Sequence, residues 1–135
     1  MDQIVRGKSM SVYSDKPKFY SSSIVGGILP IALGTAMSIK MKGEHNKVWC
    51  FVGDMTFESG LFYETYKYSR NFGLPLEFVV EDNGYAEATS SDYSVGGNIV
   101  DRGKAYGLHA EKVDGTDFFA VHQAAKEAVE RAKNN

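Results

Sequence analysis

The residues with the most evident chemistry in this chain are Asp54 and Asn83. Each follows a short apolar run: "VWCFV" leads into Gly53-Asp54, and "LEFVV" leads into Glu81-Asp82-Asn83-Gly84. One carboxylate, one amide oxygen and a backbone carbonyl would leave open positions on an octahedral Mg²⁺ for phosphate oxygens. A helical pattern opening near Thr56 would add free N–H groups and the positive end of its dipole, both favourable to an anion. Gly53 and Gly60 would ease close approach of the backbone. The same residues have plainer uses. Asp54 can cap the helix, worth about 1 kcal/mol, and Asn83-Gly84 is a common turn dipeptide. An aspartate at a strand end is also where a phosphoacceptor stands, so ligand, phosphoacceptor and cap are all open at this point.

Asp54 and Asn83 are 29 residues apart, so the chain between them must fold back if they are to share a crevice. The run 47–53, rich in β-branched and aromatic residues, has the pattern of a parallel strand buried on both faces. After it, Leu61, Thr65, Tyr68 and Phe72 recur at helical spacing, and the pattern stops at Gly73 with Pro75 beyond. The segment 76–82 reads as a second buried strand. Strand, helix and strand in this order make a βαβ unit with parallel strands and a right-handed crossover, which sends both strand ends to one edge. Ligands of open parallel sheets bind at that edge. The pattern leaves open whether the two strands are neighbours.

The remaining segments complete an α/β pattern with one domain over residues 1–135. Residues 1–23 are polar and turn-rich and read as a loop or arm. From Ile28 to Lys42 apolar residues occupy nearly every side of a helical wheel, predicting a helix buried on most faces, with Pro30 in its first turn. "DRGKAYG" predicts a short helix and "LHAEKVDG" a third strand. Phe118, Val121, Ala125, Val129 and Ala132 mark the face of a closing helix.

Composition excludes some classes. With 15 basic and 17 acidic residues, the chain lacks the basic excess of a nucleic-acid surface. No segment reaches the 18 or so apolar residues needed to span a bilayer, and the N-terminal residues lack a signal-peptide core. The single cysteine, Cys50, lies in an apolar run and reads as packing in a reducing compartment. A cytoplasmic protein with no nucleic-acid or membrane partner is expected. His45, His109 and His122 read as surface or helix-face residues, and Glu77 as the solvent-facing start of its strand.

The block "GDMTFESGLFYETYKYSRNFGLPLEFVVEDNGYAEATS" resembles the thiamine-diphosphate motif, which opens with Gly-Asp-Gly and closes nearly thirty residues later with Asn-Asn. Upstream "GKSMSVYSDKPKFYSSSIVGGILPIALGTA" and downstream "DRGKAYGLHAEKVDGTD" match the same family in the right order. The family is the alpha subunit of the decarboxylating component of 2-oxo-acid dehydrogenases, in the transketolase-like superfamily. The resemblance implies a three-layer sandwich with a mostly parallel sheet, the thiamine-diphosphate-binding fold. It implies thiamine diphosphate and Mg²⁺ as cofactors. By position, Asp54 and Asn83 would bind Mg²⁺ through their side chains and Tyr85 through its carbonyl. Gly53, Asp54 and Met55 would lie along the diphosphate. Val25 would stand near the cofactor rings and the Ser23 backbone near the aminopyrimidine.

The resemblance also implies incompleteness. In the family the glutamate that activates the aminopyrimidine comes from another domain or a partner chain, so a pyrimidine-domain chain or a second copy is the expected partner. The family's alpha chain extends beyond this one at both ends. Two positions depart from the motif: Met55 replaces its third residue, glycine, and Asp82 the first asparagine of the closing pair. Met55 adds a side chain beside the diphosphate. Asp82 puts a second carboxylate near the first, which would either strengthen Mg²⁺ binding or repel the diphosphate. Two other readings stand beside this one: a non-catalytic relative that keeps the fold without the cofactor, and a phosphorelay receiver. The receiver reading needs an early acidic pair, and only Asp2 is acidic among the first fourteen residues.

Overall fold

From the N-terminus a one-turn helix, α1 (Asp2–Val5), precedes a minimal hairpin in which β1 (Tyr13–Ser14) pairs antiparallel with β2 (Phe19–Tyr20). The arm predicted for residues 1–23 therefore carries some regular structure. The structure is a computed structural model, and it describes residues 2–8, 10–16, 18–86, 88–93 and 95–133. Helix α2 (Leu29–Met41) follows with Ile28 and Lys42 at its ends and Pro30 in its first turn, where the missing N–H costs nothing. Its buried residues are Leu29, Ala32, Ala36 and Ile39, a single stripe at helical spacing. Ile31 and Met41 are exposed, so the expectation of burial on most faces is corrected.

Strand β3 (Val48–Gly53) is followed by the one-turn helix α3 (Asp54–Phe57), helix α4 (Gly60–Asn71) and strand β4 (Leu76–Glu81). β3 and β4 pair in parallel, with Cys50 opposite Phe78 and Gly53 opposite Glu81. The two predicted strands are thus neighbours, and their ends lie side by side. The crossover differs from the single helix that the spacing predicts. Ser59 interrupts it, and its Oγ accepts the Phe62 N–H (3.3 Å) as the N-cap of α4. The inner face of α4 holds Phe62, Thr65 and Ser69, whereas Leu61, Tyr68 and Phe72 are exposed. Tyr68 and Phe72 stack on each other on the outer face, ring centroids 6.1 Å apart.

The core lies between the sheet and these helices. Phe62, 1% exposed, packs its ring against Phe57 and Phe78, with centroids 4.3 and 5.0 Å away. Lys40 of α2 donates to the Phe72 and Gly73 carbonyls at the end of α4, where the helix dipole favours a cation. Cys50 and Val52 face this core, and burial pushes the Cys50 thiol up to about 11. Trp49 and Phe51 alternate to the opposite face and are 37% and 57% exposed. The prediction of strands buried on both faces is corrected accordingly. Glu77, opposite Trp49 on that face, is half-buried rather than solvent-facing. Burial raises its pKa against the opposing pull of Arg131, Lys47 and His109.

Past β4 come a second two-residue hairpin, β5 (Tyr85–Ala86) with β6 (Thr89–Ser90), and a 3-10 turn (Ser91–Tyr93). Helices α5 (Ile99–Ala105) and α6 (Phe118–Lys133) close the chain. The third strand predicted for 108–115 does not form. The Leu108 N–H is spent on the Gly103 carbonyl, and the charged residues of the segment engage side chains instead, Lys112 with Asp82 and Glu111 with Arg131. In α6, Ala128 is buried while Phe118 and Val121 are exposed, so only the C-terminal part of the predicted face turns inward. Lys47 ties this helix to the start of β3 by donating to the Val129 carbonyl. The observed architecture is α/β, with a small parallel sheet and helices packed on it.

Candidate functional site

Asp54 is placed by the end of β3. Gly53 takes an extended conformation (φ −76°, ψ 164°) as the N-cap of α3, and Asp54 is the first residue of the helix. The cap reading is therefore only partly met: the Asp54 Oδ1 accepts one free helix N–H, that of Met55, at 2.9 Å. The other oxygen has no such role. Asp54 is 3% exposed, and its Oδ2 is buried with no hydrogen-bond partner among the described residues. A buried polar atom left unpaired costs about 1–3 kcal/mol, more for a charged group. A cation is one kind of group that would pair with it.

Asn83 and Tyr85 lie just beyond the neighbouring strand end, since Glu81 is opposite Gly53. The Asn83 Oδ1 accepts the Tyr85 N–H at 2.9 Å across Gly84, whose φ is +78°. This is the turn that the dipeptide predicts, and the acceptor oxygen keeps a second lone pair. β5, which begins at Tyr85, comes into contact with α3, which begins at Asp54. Asp82 turns elsewhere. Its carboxylate is 3.3 Å from the Lys112 ammonium, and it lines a cavity of about 330 Å³ with Asp92, Gly97, Asn98 and Lys112. That cavity contains neither Asp54 nor Gly53, and the charge of Asp82 is countered within it.

A second cavity, of about 230 Å³, brings together three of the predicted cofactor residues, Ser23, Val25 and Gly53, with Ile28, Phe51 and Thr56. The segment 23–27 reaches it through a tight turn at Gly26, whose φ is +76° and whose missing Cβ would lie 3.3 Å from the Leu61 side chain. A Cβ at Gly27 would meet the Ile24 carbonyl at 3.1 Å, so both glycines permit the close approach. Val25, 69% exposed, projects beside Phe51. Around Gly53 there is open space: no atom lies within 4 Å of where a Cβ would stand. Met55, the next residue but one, is half-buried in α3.

Four participants were not picked out from the sequence. Phe51 and Thr56 line the cavity, and alternation along β3 already puts Phe51 on the face opposite Cys50 and Val52. Glu58, at the C-terminal end of α3, and Arg102 of α5 form a bidentate ion pair, with side chains 20% exposed. The pair holds the Arg102 pKa above its ordinary value, chiefly through the hydrogen bond to Glu58. The two residues are 44 apart in sequence, and no local pattern marks them as partners.

The site thus combines a parallel βαβ unit, a buried carboxyl oxygen at its strand end that has no hydrogen-bond partner among the described residues, and a cavity beside it lined in part by Gly26 and Gly53. The chain belongs to the dehydrogenase E1 component family, matched over residues 2–135, in agreement with the three sequence blocks. It is 42% identical over 131 residues to the alpha subunit of acetoin:2,6-dichlorophenolindophenol oxidoreductase from Bacillus subtilis (strain 168), covering 96% of this chain and 39% of that protein. The corresponding subunit from Cupriavidus necator is 38% identical over 130 residues, 95% of this chain and 39% of that protein. The pyruvate dehydrogenase E1 component subunit alpha of Rickettsia felis is 32% identical over 132 residues, 96% and 40% of the two chains. The chain thus spans about two fifths of the length of these relatives. Membership of this family sets the receiver reading aside.

Proposed function

We propose that this chain supplies the diphosphate- and metal-binding half of a thiamine-diphosphate site in a 2-oxo-acid dehydrogenase-type enzyme. The observation that carries the reading is the buried, unpaired Oδ2 of Asp54 at the end of β3. Asp54 and Asn83 hold Mg²⁺ through side-chain oxygens and Tyr85 through its carbonyl, an oxygen-only donor set suited to a hard cation. Gly53 and the first turn of α3, Asp54 and Met55, lie along the diphosphate. The Ser23 backbone and the Val25 side chain support the rings in the cavity between the segment 23–27 and β3. Bound there, the thiazolium supplies a nucleophilic carbon and an electron sink for a 2-oxo acid or related keto substrate.

A partner completes the site. Among the described residues none is assigned the role of the glutamate that activates the aminopyrimidine, and Val25 and Phe51 are both largely exposed where they line the cavity. A pyrimidine-domain chain or a second copy supplies that group, and residues 1–135 are read as a single diphosphate-binding domain of three-layer-sandwich type. The chain by itself is catalytically silent. Trp49, the only tryptophan, is close in sequence to Phe51 and reports binding: titration with thiamine diphosphate in the presence of Mg²⁺ changes its emission and releases heat. Unchanged emission and heat at millimolar cofactor, alone and with the partner chain, would sink the reading.

One observation favours a second reading. Met55 occupies the second position of α3, where the motif has glycine, and a side chain there that blocks the diphosphate leaves a relative with the fold and no cofactor. Such a protein forms its oligomer, measured by light scattering, while its melting temperature ignores Mg²⁺ and cofactor, since a ligand of the native state must stabilise it.

A further inference from the structure

Helix α3 is too short to hold itself in place. It has four residues, Asp54 to Phe57, and an isolated turn of helix is unfavourable to form. Its orientation, and with it the direction of the Asp54 carboxyl group, depends on what packs against it: the Phe57 ring rests on Phe62 in the core, and Arg102 touches its far end. Arg102 makes two such contacts. Its guanidinium grips Glu58 with both terminal nitrogens, Nη1 at 3.2 Å from Oε2 and Nη2 on Oε1. It also stands over the Phe57 ring, 4.7 Å from the centroid. Nη1 donates in addition to the Tyr63 hydroxyl of α4 at 3.1 Å. A bidentate Arg–carboxylate pair fixes direction as well as distance, and a cation over an aromatic face adds a second restraint.

Arg102 belongs to α5, the helix that ends the excursion from β4 on which Asn83 and Tyr85 lie. We propose that Arg102 is a positioning residue that holds the two halves of the metal-ligand set in register, with α3 and Asp54 on one side and the β4–α5 excursion on the other. The proposal rests on the reading of Asp54, Asn83 and Tyr85 given above. Arg102 does not touch the ligand set itself. It acts through Glu58 and Phe57, one helical turn from Asp54, about 6 Å along the axis.

The test uses the whole chain with Arg102→Lys, which keeps the charge and loses the fork, and Arg102→Met, which loses both. Residue-resolved hydrogen exchange reads α3 directly, at the Met55 amide bonded to Asp54 Oδ1 and the Glu58 and Ser59 amides bonded to the Met55 and Thr56 carbonyls. In both variants these amides exchange faster by about tenfold or more, while amides of β3 and α2 change by less than about threefold, the signature of a local opening. Thiamine diphosphate with Mg²⁺ binds both variants about tenfold or more weakly by calorimetry, as loss of a bidentate charged contact implies. Uniform acceleration across α3, β3 and α2 would make Arg102 a general stabiliser and overturn the proposal, as would no acceleration at α3. Wild type that binds, with variants that bind equally well, overturns the proposal and leaves the site reading standing. Wild type that takes up no ligand, alone and with the partner chain, overturns both.

Discussion

Asp54→Asn separates the two tasks of Asp54, and it separates them in opposite directions. The amide keeps an oxygen for the Met55 N–H now bonded to Oδ1 at 2.9 Å. In place of Oδ2, which is buried without a partner, it puts an uncharged NH₂ of the same size. An unpaired buried acceptor costs about 1–3 kcal/mol and a charged one more. The amide recovers a fraction of that, so the ligand-free variant should gain about 1 kcal/mol. For a chain of 135 residues this corresponds to a rise of about 4 °C in melting temperature.

With ligand the order reverses. Cofactor and Mg²⁺ at a hundredfold excess over Kd stabilise a binding-competent native state by about 2.7 kcal/mol. The wild type gains this and the variant, lacking the anionic oxygen, does not. The assay is thermal unfolding by circular dichroism in chelator, then in Mg²⁺ with thiamine diphosphate, with the partner chain where one is needed. A variant that melts below wild type in chelator would show that Oδ2 is satisfied in solution and that Asp54 is structural. A variant that gains the same ligand-induced shift as wild type would remove Asp54 from the metal site.

Met55→Gly should cost about 1 kcal/mol of helix stability and tighten thiamine-diphosphate binding in calorimetry; equal or weaker affinity would place the Met55 side chain clear of the phosphates. Gly103 is buried in α5, and a Cβ there would lie 2.9 Å from the Ala110 Cβ. Gly103→Ala should lower the urea midpoint, overpacking at about 1–3 kcal/mol outweighing a helix-propensity gain of up to about 1 kcal/mol, and adding Ala110→Gly should restore it. Burial raises the folded pKa of Glu77 above its ordinary value, so the folded state favours its protonated form. Stability from this group is full below the unfolded pKa and is lost as pH rises through the folded one. Glu77→Gln should therefore raise the urea midpoint at pH 7, with the gain vanishing near pH 4; a gain that persists at pH 4 would assign it to packing instead.

The sequence makes the frame of the site legible because short-range signals encode it. Apolar runs bounded by Gly53 and Asn83-Gly84 locate both strands to within about a residue, as β3 and β4 show, and the order strand, helix, strand allows few topologies. What it misses depends on distant partners. Continuous apolar runs suggest burial on both faces, yet Trp49 and Phe51 are exposed; hydrophobicity reports that a face wants cover, not whether this chain supplies it. In α4 the spacing of Leu61, Thr65, Tyr68 and Phe72 marks a helix correctly, but the face packed on the core is that of Phe62, Thr65 and Ser69, and Tyr68 and Phe72 are exposed. The segment 108–115 reads as a strand in the α/β order, but its charged residues found side-chain partners and no ladder formed.

The same distinction decides what kind of residue Asp54 is. At a strand end before a helix, an aspartate is equally well placed to cap, to accept a phosphoryl group or to bind a metal, and local spacing does not choose among them. A capping carboxylate is satisfied by the helix and needs only one oxygen. In this fold one oxygen does that work, on the Met55 N–H, and burial against the core removes water from the other. The second departure from the motif points the same way. Asp82, a second carboxylate near the strand ends, pairs with Lys112 and lines a separate cavity, whereas Asp54 Oδ2 is buried with no hydrogen-bond partner among the described residues. Folding alone gains nothing from burying an unpaired oxygen, and the cation proposed above is the kind of ligand that would pair with it.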